Sequence, residues 1–300
     1  MTDIVLSEEE FNRRMEDAIL ERRPEGCRVE FADRRCNNGI AQPVARFRME
    51  GRAMSPAVAL SGLFEKYLRG SSVEELAEAV VRTAMEGLPD QDPDPGFLAD
   101  FKKVRKRLGM RLVNAGRNRD ILETIPWIPL EDLAVTFYVL MPGPASGGGM
   151  VQVRDREAEN WQVSAGDLYR EALKNCPVIL PPVCRKLSDF LGYQLEEEED
   201  AMRMLTNERQ WYGAAAMLYP GFLASEAGRL GDDLYILPSS VHEVMLLPAS
   251  DEDPAALAGI VSLANRSDVA EEEFLSDSVY LYRRKEDRIV RAFPPGKTGH

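Results

Sequence analysis

The run Leu133–Met141, LAVTFYVLM, constrains the fold more than any other stretch of this chain. Nine successive residues carry no charge and no proline or glycine, and β-branched and aromatic side chains recur among them, which fits a central strand buried on both sides. It is also the longest apolar stretch, far short of the ~20 residues that a membrane span needs, so no membrane partner is expected. The opening residues, MTDIVLSEEE, show neither a basic n-region nor an apolar h-region, and a cytoplasmic setting is the expectation.

The rest of the chain interleaves helices and strands without regular βαβ alternation. This predicts an α+β fold with an antiparallel or mixed sheet flanked by helices. Ser7 and Glu10 form a capping box before Phe11, Met15, Ala18 and Ile19, which predicts a helix over 8–22. Two partly alternating runs, 27–35 and 43–50, flank Asn37-Asn38-Gly39 and read as a hairpin. Pro56 opens an expected helix to Arg69, and Ser72 with Glu75 caps another to Glu86. LPDQDPDPG over 88–96 is the linker candidate.

Further helices are expected over 97–108, where Phe97, Leu98, Phe101, Val104 and Leu108 share a face, over 164–175, from Pro182 to Leu191 and over an interrupted 212–230. Strands are expected at 150–154, 202–206, 234–237, 242–247 and 278–283, with a helix at 254–265. The predicted organisation is an N-terminal helix–hairpin–helix–helix portion (1–88), an α+β main domain (97–285) and a flexible tail (286–300).

Charge narrows the partners. Residues 1–150 hold 21 basic and 24 acidic side chains (−3), and the remainder hold 16 and 26 (−10), which sums to the net −13 of the chain. So acidic a molecule is repelled by nucleic-acid phosphate unless a local basic patch intervenes. One exists: Lys102, Lys103, Arg105, Lys106, Arg107, Arg111, Arg117 and Arg119, with no acidic residue from 102 to 119. No aromatic residue interleaves with it, which leaves out a stacking platform for single strands. The bland alternative is a solvated helix face neutralised within the molecule, for example by Glu196–Asp200.

DLYILPSSVHEVMLLP at 233–248 holds the residue types used in nucleophilic and acid–base work: Ser239, Ser240, His242 and Glu243. On a strand, His242 and Glu243 would point to opposite faces, and Ser240 and His242 would lie roughly 7 Å apart, too far for a nucleophile–base bond. The expected role is a turn in which the serines bond the backbone. HExxH fails because position 246 is Leu246. Cys27, Cys36, Cys176 and Cys184 lack zinc-knuckle spacing and are expected to be reduced, buried thiols; no metal and no cofactor is expected. Gly147-Gly148-Gly149 and Gly296-Lys297-Thr298 sit in the wrong context for phosphate loops.

The segments IPLEDLAVTF (128–137), WQVSAGDLYREALKN (161–175), TNERQWYGAAAMLYP (206–220), LYILPSSVHEV (234–244) and LSDSVYLY (275–282) resemble the bacterial domain-of-unknown-function family numbered fifty-six eighty-eight. SPAVALSGLFEKYLRG (55–70) and LVNAGRNRDIL (112–122) fit it too. Trp161-Gln162-Val163-Ser164, the Ala-rich helix and the strand–Pro-Ser–strand also resemble a second family of unknown function. These resemblances imply an α+β fold in a bacterial cytosol and transfer no catalytic residue. RCNNG around Cys36 departs from the family's usual lysine–asparagine turn, which counts against a role for Cys36.

The residues do not decide between enzyme and binding protein. The favoured expectation is a non-enzymatic protein that binds another protein through Lys102, Lys103, Arg105, Lys106, Arg107 and Arg111. The first alternative is a small hydrolase or transferase with His242 as base, Ser239 or Ser240 as nucleophile or anchor, and Asp132 or Glu243 as the orienting carboxylate. The second is nucleic-acid binding through Lys102–Arg119.

Overall fold

The computed structural model describes residues 5–52, 54–88, 92, 94, 96–141, 149–191, 202–238, 240–250 and 252–293. Two units divide the chain: Met1–Cys36, Ile40–Phe97 and Met141–Met150 form the first, and Asn37–Gly39, Leu98–Leu140 and Val151–His300 the second.

The first unit runs α1 (Glu8–Arg22), β1 (Cys27–Arg35), β2 (Ala41–Met49), β3 (Ala57–Ala59), α2 (Leu63–Leu68) and α3 (Val73–Glu86). Ser7 Oγ accepts the Glu10 amide at 3.2 Å, and Glu8, Glu9 and Glu10 complement the helix dipole of the first turn. Ser72 and Glu75 close a reciprocal capping box on α3. The buried stripe Phe11, Met15, Ala18 and Ile19 clusters with Leu76, Ala77, Val80 and Ala84 of α3 and with Ala45 and Phe47 of β2. β1 and β2 pair antiparallel around a turn in which Asn38 (φ 59°) and Gly39 (φ 73°) are both left-handed, as the Asn-Gly pair predicts. Pro56 does not open a helix. Ala57–Ala59 instead adds a third strand to β2, and α2 starts only after the left-handed Gly62.

The second unit contains α4 (Phe101–Val104), β4 (Leu108–Asn114), α5 (Arg119–Leu122), β5 (Trp127–Leu130), β6 (Leu133–Leu140), β7 (Met150–Gln152), α6 (Asp155–Trp161), α7 (Ala165–Ile179), β8 (Pro182–Lys186), α8 (Leu187–Leu191), β9 (Arg203–Asn207), α9 (Phe222–Leu230), β10 (Leu234–Leu237), β11 (Val244–Pro248), α10 (Pro254–Ser267), β12 (Val279–Arg283) and β13 (Arg288–Phe293). One sheet has the order β4-β6-β5, with β7 also on β6, and the other β13-β12-β10-β11-β9-β8. All eight residues of β6 are buried, as a central strand requires. The fold is α+β with antiparallel sheets.

Three expectations fail here for physical reasons. The helix expected over 97–108 shrinks to α4 and a single 3-10 turn, Arg105–Arg107, because Leu108–Asn114 pairs with β6 along its whole length. Pro182 heads a strand at the sheet edge, where its missing N–H costs no ladder bond. Arg288–Phe293, expected as part of a flexible tail, pairs with β12 as the opposite edge; the arginines it carries are typical of an edge strand kept from further pairing. Most of the linker candidate (residues 89–91, 93 and 95), residues 142–148, the acidic run 196–200 and residues 294–300 lie outside the described residues.

Candidate functional site

Pro238 and Ser240–Glu243 lie between β10 and β11 and belong to neither strand, so strand alternation does not govern them. Ser240 is 3% exposed. Its hydroxyl donates to Glu243 Oε1 at 2.6 Å and accepts the His242 amide at 3.0 Å, which engages the group both as donor and as acceptor inside the turn. The imidazole turns elsewhere: Nδ1 lies 2.9 Å from the Gln210 carbonyl and 3.3 Å from the Tyr212 amide, two contacts that require opposite tautomers. Nε2 sits 3.7 Å from Glu273 Oε1. No hydrogen bond joins Ser240 to the imidazole among the described residues. Ser239 lies outside them.

Asp132, expected to orient His242, instead receives three hydroxyls. Ser276 (2.6 Å) and Ser278 (3.0 Å) donate to Oδ2, and Tyr280 (2.9 Å) donates to Oδ1. Arg291 Nη1 stands 3.9 Å from the same carboxylate. Burial, and next the adjacent Asp132 charge, hold the Tyr280 phenol well above its ordinary value, so it remains a donor. The pattern Ser-x-Ser-x-Tyr, which places hydroxyls on one side of an extended chain, is the signal in the sequence that could have located this cage.

A second polar assembly, with no motif in the sequence to mark it as a unit, lies on the β4-β6-β5 sheet. The strand register sets Arg111, Thr136 and Trp127 side by side across β4, β6 and β5. Arg111 is half-buried; its Nε donates to Thr136 Oγ1 (3.3 Å), Nη1 to the Tyr212 hydroxyl (3.0 Å) and Nη2 to Gln152 Oε1 (2.8 Å). The guanidinium lies 4.9 Å from the Tyr212 ring centroid, and that ring stacks on His242 at 5.7 Å and 13°. Tyr138 flanks the group, its ring 5.9 Å from that of Tyr212 and laid across Gly109, where a Cβ would meet it at 2.5 Å.

Gln210 (φ 54°) and Tyr212 (φ 49°) are left-handed without being glycine, so the loop holding the imidazole is strained. Gly213 follows because a Cβ there would collide with Thr206 Oγ1 and the His242 carbonyl.

The basic block is distributed over several elements. Lys102, Lys103, Arg105, Lys106 and Arg107 are exposed in α4 and the 3-10 turn, Arg111 faces inward from β4, Arg117 covers the Phe274 ring at 3.8 Å, and Arg119 opens α5. Arg105 pairs with Glu171 at 3.1 Å. Lys102, Lys106 and Arg119 have no carboxylate partner among the described residues. The four cysteines are free; burial pushes the Cys176 thiol up to about 12, and burial with the Glu226 charge does the same for Cys184.

These features define an α+β protein of antiparallel sheets with a hydroxyl–carboxylate cage, a histidine-bearing turn and a half-buried arginine. The chain belongs to DUF5688, a family of unknown function, whose model matches residues 8–284. No match was found among curated proteins or among solved structures. No helix of the described residues is long and apolar enough to cross a membrane.

Proposed function

We propose that this is a non-enzymatic protein of the bacterial cytoplasm that binds an acidic surface of another protein through the exposed segment Lys102–Arg107. The observation that carries this reading is the state of Lys102 and Lys106: both are solvent-exposed and lack a carboxylate partner among the described residues, in a chain of net charge −13. Cations kept unpaired where acidic groups are plentiful remain free to steer and orient a complementary partner. The commitment of the Ser240 hydroxyl to Glu243 and of the imidazole to backbone groups supports the same reading, since neither forms a nucleophile–base pair among the described residues.

The test is the double variant Lys102→Glu/Lys106→Glu, with crosslinking in extract through a photoreactive amino acid installed at Lys103 in both the reference and the variant chain, and identification of the crosslinked peptides. The expected partner presents Asp and Glu at the crosslinked surface. Its recovery falls by about tenfold, the equivalent of ~1.4 kcal/mol, in the variant and at high salt, with an unchanged circular-dichroism spectrum. Equal recovery from both proteins overturns the reading. A salt-sensitive gel shift with random duplex in place of a protein crosslink would assign the face to nucleic acid.

A further inference from the structure

We propose that Arg111 anchors an oxyanion-binding site, taking a carboxylate or phosphate group, on the face of the β4-β6-β5 sheet shared by Thr136, Tyr138 and Trp127. This does not rest on the Lys102–Arg107 reading, because Arg111 is half-buried and engages a different set of partners.

The guanidinium carries five N–H donors. Three go to neutral acceptors on Thr136, Tyr212 and Gln152, which leaves one N–H on each terminal nitrogen. No carboxylate pairs with it among the described residues. A half-buried cation that among the described residues is met only by neutral acceptors has given up part of its hydration without a counter-charge there, a deficit that an arriving anion removes. Neutral acceptors orient the fork while leaving its charge unspent, which suits bidentate capture of an oxyanion.

A second, independent observation lies beside it. Tyr138 is 2% exposed and its hydroxyl has no hydrogen-bond partner among the described residues, although a buried O–H ordinarily has one. Burial, and next the neighbouring Cys176, Tyr219 and Tyr212, hold the phenol well above its ordinary value against a smaller opposing effect of Arg111, so it remains a donor. The strained Tyr212 backbone keeps that ring against the guanidinium, and Trp127, 36% exposed, offers a flat apolar wall in the same row of the sheet. An unpaired cation, an unsatisfied donor and an exposed indole on one sheet face are complementary to an anion borne on an apolar or planar body.

Isothermal titration and thermal unfolding of the full chain test this, with sodium phosphate, sodium acetate and sodium chloride at matched ionic strength. Wild type is expected to give saturable heat and a rising Tm with phosphate or acetate and neither with chloride; the stronger of the two identifies the oxyanion. Arg111→Gln should abolish the saturable heat. Tyr138→Phe should keep or raise the ligand-free Tm, since its hydroxyl has no partner to lose, while weakening binding about tenfold. Absence of saturable heat with both anions overturns the proposal, as does equal binding by Arg111→Gln. Should Arg111→Gln fail to fold, a folded Tyr138→Phe variant with undiminished affinity overturns it as well.

Discussion

Tyr280 donates its hydroxyl to Asp132 at 2.9 Å across 148 residues of sequence, so the carboxylate between β5 and β6 is a point of attachment for β12. Ser276 and Ser278 share the same acceptor, and all three donors are essentially removed from water. Asp132→Ala leaves three buried hydroxyls without their acceptor. At about 1–3 kcal/mol for each unsatisfied group, the expected loss is at least ~3 kcal/mol. Asp132→Asn, which retains one oxygen, should lose less. Urea midpoints measure both, and an unshifted midpoint for the alanine variant would remove the cage from the account of stability.

Gly213 and Gly228 should respond in opposite directions to alanine. A Cβ at Gly213 meets the His242 carbonyl, which is backbone and cannot rotate away, so about 1–3 kcal/mol or more is expected to be lost. Gly228 lies within α9 with open space around it, and alanine there should gain about 0.5–1 kcal/mol. Thermal melts of the two variants settle the contrast; the same sign for both would contradict it.

Thiol labelling should separate the cysteines. At a pKa of about 12, the thiolate fraction of Cys176 and Cys184 near pH 8 is roughly 10⁻⁴; Cys176 is buried as well, and Cys184 is half-buried. Iodoacetamide mapping by mass spectrometry is therefore expected to leave both unmodified in the native protein and to modify both in urea. Rapid native modification of Cys184 would contradict the raised pKa of that thiol beside Glu226.

Asp167 provides an acid-sensitive element. The Ser164 hydroxyl and amide bonds hold its carboxyl below the ordinary 3.8. A group lowered on folding contributes stability above its unfolded value and loses it as the pH falls through the lower folded one. Wild type should therefore lose more stability than Asp167→Asn on going from pH 5 to pH 2, by roughly the lost capping-box interaction at α7. Parallel pH profiles for the two proteins would show that this carboxylate does not contribute.

What the sequence disclosed follows from locality. β6, the N-terminal helix and the Asn37-Asn38-Gly39 turn depend on neighbouring residues, and each was legible. β4 was not: Leu108 completes a helical apolar pattern begun at Phe97, while Arg111 on the same strand reads as surface and is bent inward by Tyr212 and Gln152. The edge strand β13 was hidden by its arginines. At the turn, a bond from Ser240 to Glu243 three residues away was within reach of local reasoning, but the backbone acceptor at Gln210 is 32 residues distant and leaves no spacing signature. Asp132 is a candidate by residue type alone; its partners are not local, because its donors lie about 150 residues downstream.

The wholly buried β6 carries a hazard outside the native state. Leu133–Leu140 is a charge-free, proline-free octapeptide of high β-propensity, the kind of segment that self-associates when a chain is caught half-made. Glu131 and Asp132 stand immediately ahead of it as gatekeepers, opposing such stacking by charge repulsion. The same carboxylate flanks the aggregation-prone run in the unfolded chain and holds a distant strand in the folded one, so replacing Asp132 is expected to depress soluble yield as well as stability.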